Sequence, residues 1–273
     1  MRLSCKNCGN NFTGNYCNNC GEKLHLEKDK KISLIIGDAF HFITHFEGNF
    51  FNTLKAVITR PGKLSRDYCN GKRKSYFKPI SFFLMLVILY LLFPLFEGLN
   101  MKLTYHAKHN AYGGYATRKI EQLLESRGWT EAYLTDIFQS KGEKTSKFLL
   151  FIVLPVMACF SYLLAIRKRR FYFDHFIFST EVISVFIFWG FLLLPVLLLM
   201  TRAVGINPFS GEDQVALTIL SVFFVYLTLA GRRFFGFTWW YALFYALLFS
   251  FIFVIFLEMV YKFLLFFIVI HLV

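Results

Sequence analysis

FIFSTEVISVFIFWGFLLLPVLLLM, residues 176–200, carries a single ionisable side chain, Glu181. A helix built from it is apolar on every face, and about 20 such residues cross the hydrocarbon of a bilayer. The rest of the chain has the same character: of 273 residues, 56% are hydrophobic and 20% aromatic. Four further stretches read as spans, giving approximately Pro79–Phe96, Lys147–Ile166, Phe176–Met200, Gln214–Ala230 and Phe237–Leu257. The expected fold is therefore an all-α integral membrane protein with about five transmembrane helices. The first and fourth stretches are short, and the fourth also reads as a tilted or re-entrant element. Pro94, Pro155 and Pro195 fall inside or near span ends. Prolines are tolerated there because neighbouring helices satisfy the freed carbonyls.

Charge sets the expected orientation. Before the first span stand 14 Lys/Arg and 6 Asp/Glu; after the second come Arg167, Lys168, Arg169 and Arg170 with one acid, Asp174; after the fourth, Arg232 and Arg233. These three regions together net +13, the formal charge of the whole chain, while the two opposite loops net +1. The basic side is expected to be the cytoplasm. That places the N-terminus inside and, with an odd number of spans, the C-terminus outside.

The other end of the chain looks unlike a membrane protein. CKNCGNNFTGNYCNNCGE, residues 5–22, holds two Cys-x-x-Cys pairs, each followed by glycine. Cys5, Cys8, Cys17 and Cys20 supply four soft thiolates from two tight turns, the ligand set of a structural zinc ribbon over residues 1–24. Disulfides or an iron centre are the alternatives. A closed four-thiolate site leaves no position for a reacting water, so the clip is not read as catalytic. A cytoplasmic position keeps its thiols reduced and available to metal. The N-terminus shows no secretory signal, and Cys69 and Cys159 stand alone. Residues 1–30 carry five Lys/Arg against three Asp/Glu, with Phe12 and Tyr16 as the aromatics. That footprint is too weak to favour nucleic acid.

Between clip and first span, residues 25–78 read as amphipathic and basic helices at the membrane surface. Ile32, Ile35, Ala39, Ile43, Phe46, Phe50, Leu54 and Val57 recur at helical spacing, with a break expected at Gly48. Arg60-Pro61-Gly62 should end this element, and a short helix from Leu64 to Asn70 should stop at Gly71. Arg60, Lys63, Arg66, Lys72, Arg73, Lys74 and Lys78 face one acid, Asp67. Such a run, interleaved with Tyr76 and Phe77, is expected to contact anionic headgroups or a partner.

The two knuckles, the phenylalanine-rich helix and the run TRPGKLSRDYCNGKRKSYFKPISFF resemble the bacterial membrane-protein family catalogued as domain of unknown function 3667. The resemblance covers roughly residues 5 to 90 and implies a bacterial cytoplasmic-membrane protein with a zinc-ribbon head. It brings no catalytic residue.

Within the spans, residues 79–273, Glu181 is the intramembrane candidate, with His175 or Arg167–Arg170 as its expected partners. Glu258 and Lys262 are spaced for a helical ion pair at the end of the fifth span. Residues 263–273 are too short to cross again and either prolong that helix or lie along the outer interface. The outer loop 97–146 should hold two short helices, Ala116–Ser126 and Thr130–Phe138, with Thr130 as N-cap and Gly128 as a break. His106 and His109 lack a third nearby ligand. There is no phosphate loop, nucleophile elbow or His-Glu-x-x-His helix. The expectation is a non-enzymatic adaptor, assembly or sensing protein whose ribbon docks a protein partner; the alternative is a small transporter or lipid-handling permease using Glu181.

Overall fold

The computed structural model describes residues 3–24, 49–93, 101–109, 111–206, 208–209 and 211–273. The residues from Ile32 to Gly48 that carry most of the expected amphipathic stripe lie outside this set. A two-stranded antiparallel ribbon, β1 (Leu3–Ser4) and β2 (Asn11–Phe12), forms in the head. Then come α1 (Phe50–Thr59), α2 (Lys63–Cys69) and α3 (Pro79–Leu92). The segment after α3 gives α4 (Leu103–Ala107) and α5 (Gly113–Arg127), followed by the long α6 (Glu131–Ala165). The remaining helices are α7 (Tyr172–Ala203), α8 (Glu212–Phe235) and α9 (Trp239–Leu272).

Among the described residues, four helices are long and apolar enough to cross a membrane: Phe148–Ala165 within α6, then α7, α8 and α9. The chain is thus a multi-pass membrane protein by length and composition. The first expected span is shorter than read. At 14 residues, α3 reaches about 21 Å, against roughly 30 Å of hydrocarbon. It ends at Phe93 (φ −128°, ψ 72°), because the residue before Pro94 cannot comfortably stay helical. The fourth stretch, by contrast, is a full helix of 24 residues.

At the centre stands α7, every residue of which is buried from Phe173 to Ile187. A helix apolar all round has no solvent face to keep, so neighbours pack on every side. Phe178 stacks on Phe234 at 5.0 Å, and Phe186 meets Phe223 and Phe253 at 5.4 and 4.9 Å. These pairs set α7 and α8 antiparallel. A π-helical segment, Phe188–Leu193, interrupts α7 just before Pro195, which has no amide to give the preceding turn. Several polar groups near the α7 N-terminus are paired. His175 Nε2 lies 2.9 Å from the Arg169 carbonyl and so carries the proton, leaving Nδ1 to accept from Ser161 at 3.0 Å. Ser161 in turn lies 2.9 Å from the Tyr245 hydroxyl.

One expected helix end is absent, and of the two courses open to residues 263–273 the structure shows the first. The second outer-loop helix does not stop at Phe138 but runs on into the span, giving the 35 residues of α6. Residues 263–273 prolong α9 through a π-helical segment, Phe256–Tyr261, in which Glu258 pairs with Lys262 at 2.6 Å. Both extensions project together, and α4 and α5 wrap them. His106 is buried against Phe138 and Phe266, with ring centroids at 5.5 and 5.3 Å. The end of α9 is capped by cations: Arg127 donates to the Val273 carbonyl at 2.6 Å, and Lys141 donates to that of Leu272.

Candidate metal centre and its seat

The two knuckles fold alike. In the first, the Gly9 amide donates to the Cys5 carbonyl (2.8 Å) and the Cys5 amide to that of Asn10 (2.8 Å). In the second, Gly21 donates to Cys17 (2.7 Å) and Cys17 to Glu22 (2.9 Å). Both turns close only with positive φ at the glycine, 78° at Gly9 and 69° at Gly21. They bring all four sulfur atoms within 4.8 Å of one another. Cys5 lies 3.5 Å from Cys20 and Cys8 3.7 Å from Cys17. Sulfurs held about 2.3 Å from a tetrahedral ion stand roughly 3.8 Å apart. A disulfide needs about 2.05 Å. The set therefore fits a metal ion and not a pair of disulfides. The Cys17 thiol is drawn down to about 6 by the Cys20 backbone amide, whereas burial pushes Cys5 up to about 11.

Among the described residues the head has only a small apolar cluster besides. Its apolar cluster is Cys5, Phe12 and Cys17, with Cys20 and Leu24 against it. What it rests on is the basic run ahead of α3. The Glu22 carboxylate, buried at 6% exposure, accepts the backbone amides of Arg73 (3.2 Å) and Lys74 (2.7 Å) through Oε2. The Ser75 hydroxyl donates to Asn7 Oδ1 at 2.7 Å. The same short stretch is tied to α1 from its other side: Asn49 Nδ2 donates to the Lys74 carbonyl (2.6 Å), and the Phe77 amide donates to Thr53 Oγ1 (2.7 Å). Residues 73–77 thus form a seat between the metal clip and α1.

The basic side chains divide. Arg73 turns inward, with Nε on the Tyr68 carbonyl (3.3 Å) and its guanidinium over the rings of Tyr68 and Phe173 at 4.8 and 5.4 Å. Arg60, Lys72 and Lys74 are exposed, and Lys63, Arg66 and Lys78 are half-buried. Tyr76 donates to Asp67 at 2.8 Å, and burial together with that carboxylate raises its phenol well above the usual range.

Glu181 is engaged elsewhere than expected. Its partners are neither His175 nor Arg167–Arg170. Oε1 accepts the Gly62 amide and the Tyr226 hydroxyl, both at 2.8 Å; Oε2 accepts the Ser65 amide at 2.7 Å and the Ser65 hydroxyl. These amides open α2, so a buried carboxylate from α7 caps the positive end of that helix. Arg233 adds a bond to the Pro61 carbonyl (2.5 Å). Gly62, with φ 74°, packs so tightly on α8 that a Cβ would lie 2.5 Å from the Ala230 carbonyl oxygen. The Arg60-Pro61-Gly62 turn is held by three contacts to the spans, all remote in sequence.

Neither Glu22 nor Tyr226 stands out in the sequence. Glu22 is an acid following a knuckle glycine, one of several acids near the clip, and Tyr226 is one of 14 tyrosines.

No curated protein and no solved structure matches the chain. Residues 47–91 match the model of a family described as Protein of unknown function (DUF3667). The match begins after the clip and takes in α1, the Arg60-Pro61-Gly62 turn, α2, the seat and most of α3. Over that segment the chain is similar to the DUF3667 family.

Proposed function

We propose that the protein is a non-enzymatic component of a bacterial cytoplasmic membrane in which a zinc-loaded head, on the cytoplasmic side, clamps the family segment and presents it to a protein partner. The observation that carries this reading is the seat: Glu22 of the clip accepts two backbone amides of the basic run. A head tethered to bind partners independently would have no need to bury a carboxylate against its own chain. With the head seated, Lys72 and Lys74 stand exposed at its edge, beside the surface an anionic partner or headgroup would meet. A closed four-thiolate set is that of a structural zinc site; tetrahedral sulfur also accepts iron, and elemental analysis separates the two. The charge bias supports a cytoplasmic N-terminus and an extracytoplasmic C-terminus. Glu181 supports the same reading. Its two oxygens are occupied by donors from its own chain, which suits an anchor rather than a carrier of substrate or protons.

Elemental analysis of the purified protein should find one zinc per chain; iron, or no metal with the cysteines paired, overturns the assignment. For the adaptor role, deletion of residues 1–24 should abolish the cellular phenotype and recovery of a stoichiometric partner from cross-linked membranes. The headless protein should still insert. Full function without the head, together with loss of function in Glu181→Gln, would transfer the assignment to a permease.

A further inference from the structure

At about 100° per residue, α1 presents three faces where a helix on a soluble surface needs two. One faces the bundle: Thr53, Ala56 and Val57 are buried, and Phe50 meets Phe77 and Phe82 with ring centroids at 6.1 and 5.8 Å. Roughly 140° round from the centre of that face are Phe51 and Ile58, about 20° apart on the wheel, at 75% and 52% exposure. About 100° beyond these lie Asn52 and Thr59, exposed and polar, with Lys55 between the two outward faces. A protein face, an exposed apolar face and a polar face together describe a helix lying where protein, lipid and water meet.

The position of α1 along the spans says what covers the apolar face. The turn that follows α1 packs against Ala230. Two residues on, the Arg232 guanidinium covers the Trp239 ring at 4.0 Å. Trp239 and Trp240 are exposed at 50% and 84%, and exposed tryptophan beside arginine marks the headgroup layer. Leu229, next to Ala230, and Val225, a turn further into the span, are exposed apolar residues of the same helix.

We propose that Phe51 and Ile58 are sunk in the lipid leaflet on the Arg232–Trp239 side, making α1 an interfacial helix that lays the family segment along the membrane. Lys55, at the boundary, extends its stem over the apolar face and its ammonium into the headgroups. This placement needs only the multi-pass character of the chain and is independent of the adaptor reading.

The test uses the full chain, one copy per lipid nanodisc, and a water-soluble maleimide, with labelling followed peptide by peptide so that native cysteines do not interfere. Phe51→Cys and Ile58→Cys should react several-fold more slowly than Asn52→Cys and Thr59→Cys on the same helix. Equal reactivity overturns the proposal. Shielding that disappears when residues 25–48 are replaced by a glycine-serine linker also overturns it, because the chain itself would then be the cover. In the unsubstituted protein, lipids with a photoactivatable acyl chain should cross-link to Phe51 and Ile58; cross-links confined to α3, α8 and α9 count against it.

Discussion

Glu181 offers two carboxylate oxygens to two amides and two hydroxyls, and all four donors lie on other parts of the chain. An amide in its place must turn an NH2 toward at least one donor. Glu181→Gln is therefore expected to destabilise by about 1–3 kcal/mol, the usual cost of a buried group without its partner. A lowered thermal midpoint in detergent checks this. Gly62→Ala should be worse, since it combines positive φ with a Cβ 2.5 Å from the Ala230 carbonyl oxygen. Gly114→Ala, with open space at its Cβ, is the neutral control. In the sequence Glu181 is conspicuous because charge in a span is costly. Its partners are not, because Gly62 lies 119 residues away and contributes a backbone amide that leaves no trace in composition. The nearby arginines were the natural guess for a carboxylate, but Arg169 is engaged by Asp174 at 3.1 Å.

Among the elements, local punctuation was readable and continuity was not. Thr130 caps α6 by accepting the Tyr133 amide (3.3 Å), Gly128 takes positive φ, and Gly71 (φ 92°) follows the end of α2. What periodicity could not show is that the helix opened at Thr130 runs without a break into the span of α6, or which of its two possible courses residues 263–273 take. The short helices α4 and α5, packed on the ends of α6 and α9, bury His106, whose pKa falls to about 4 through burial, reinforced by the charges of Lys262 and His109. The fold thus favours neutral imidazole. Its contribution is fully present above the ordinary value of 6.5 and is lost as pH falls from there toward 4. Thermal unfolding followed between pH 7 and 4 should show this loss, and His106→Gln should flatten it. An unchanged slope in the variant would assign the acid sensitivity to another group.

For the whole molecule, the hydropathy runs carried the membrane assignment and the cysteine spacing carried the metal site; the contact between them was invisible. Head and basic run are about fifty residues apart in sequence, and a backbone seat can be built from almost any residues. Topology remains testable at this scale. Reporter fusions after Arg170 and Arg233 should register inside, and fusions near Gly113 and Ser210 outside; an outside signal after Arg233 would contradict the crossing of α8. The central claim is that metal holds the head in the form that grips residues 73 and 74. Hydrogen exchange on the full chain in nanodiscs addresses it directly, comparing metal-loaded protein, chelated protein and metal-loaded Glu22→Ala. The amides of Arg73 and Lys74 should be protected in the first and exchange faster in the other two, while those of Gly62 and Ser65, held by Glu181, stay unchanged throughout. Equal protection of Arg73 and Lys74 in all three would contradict the account.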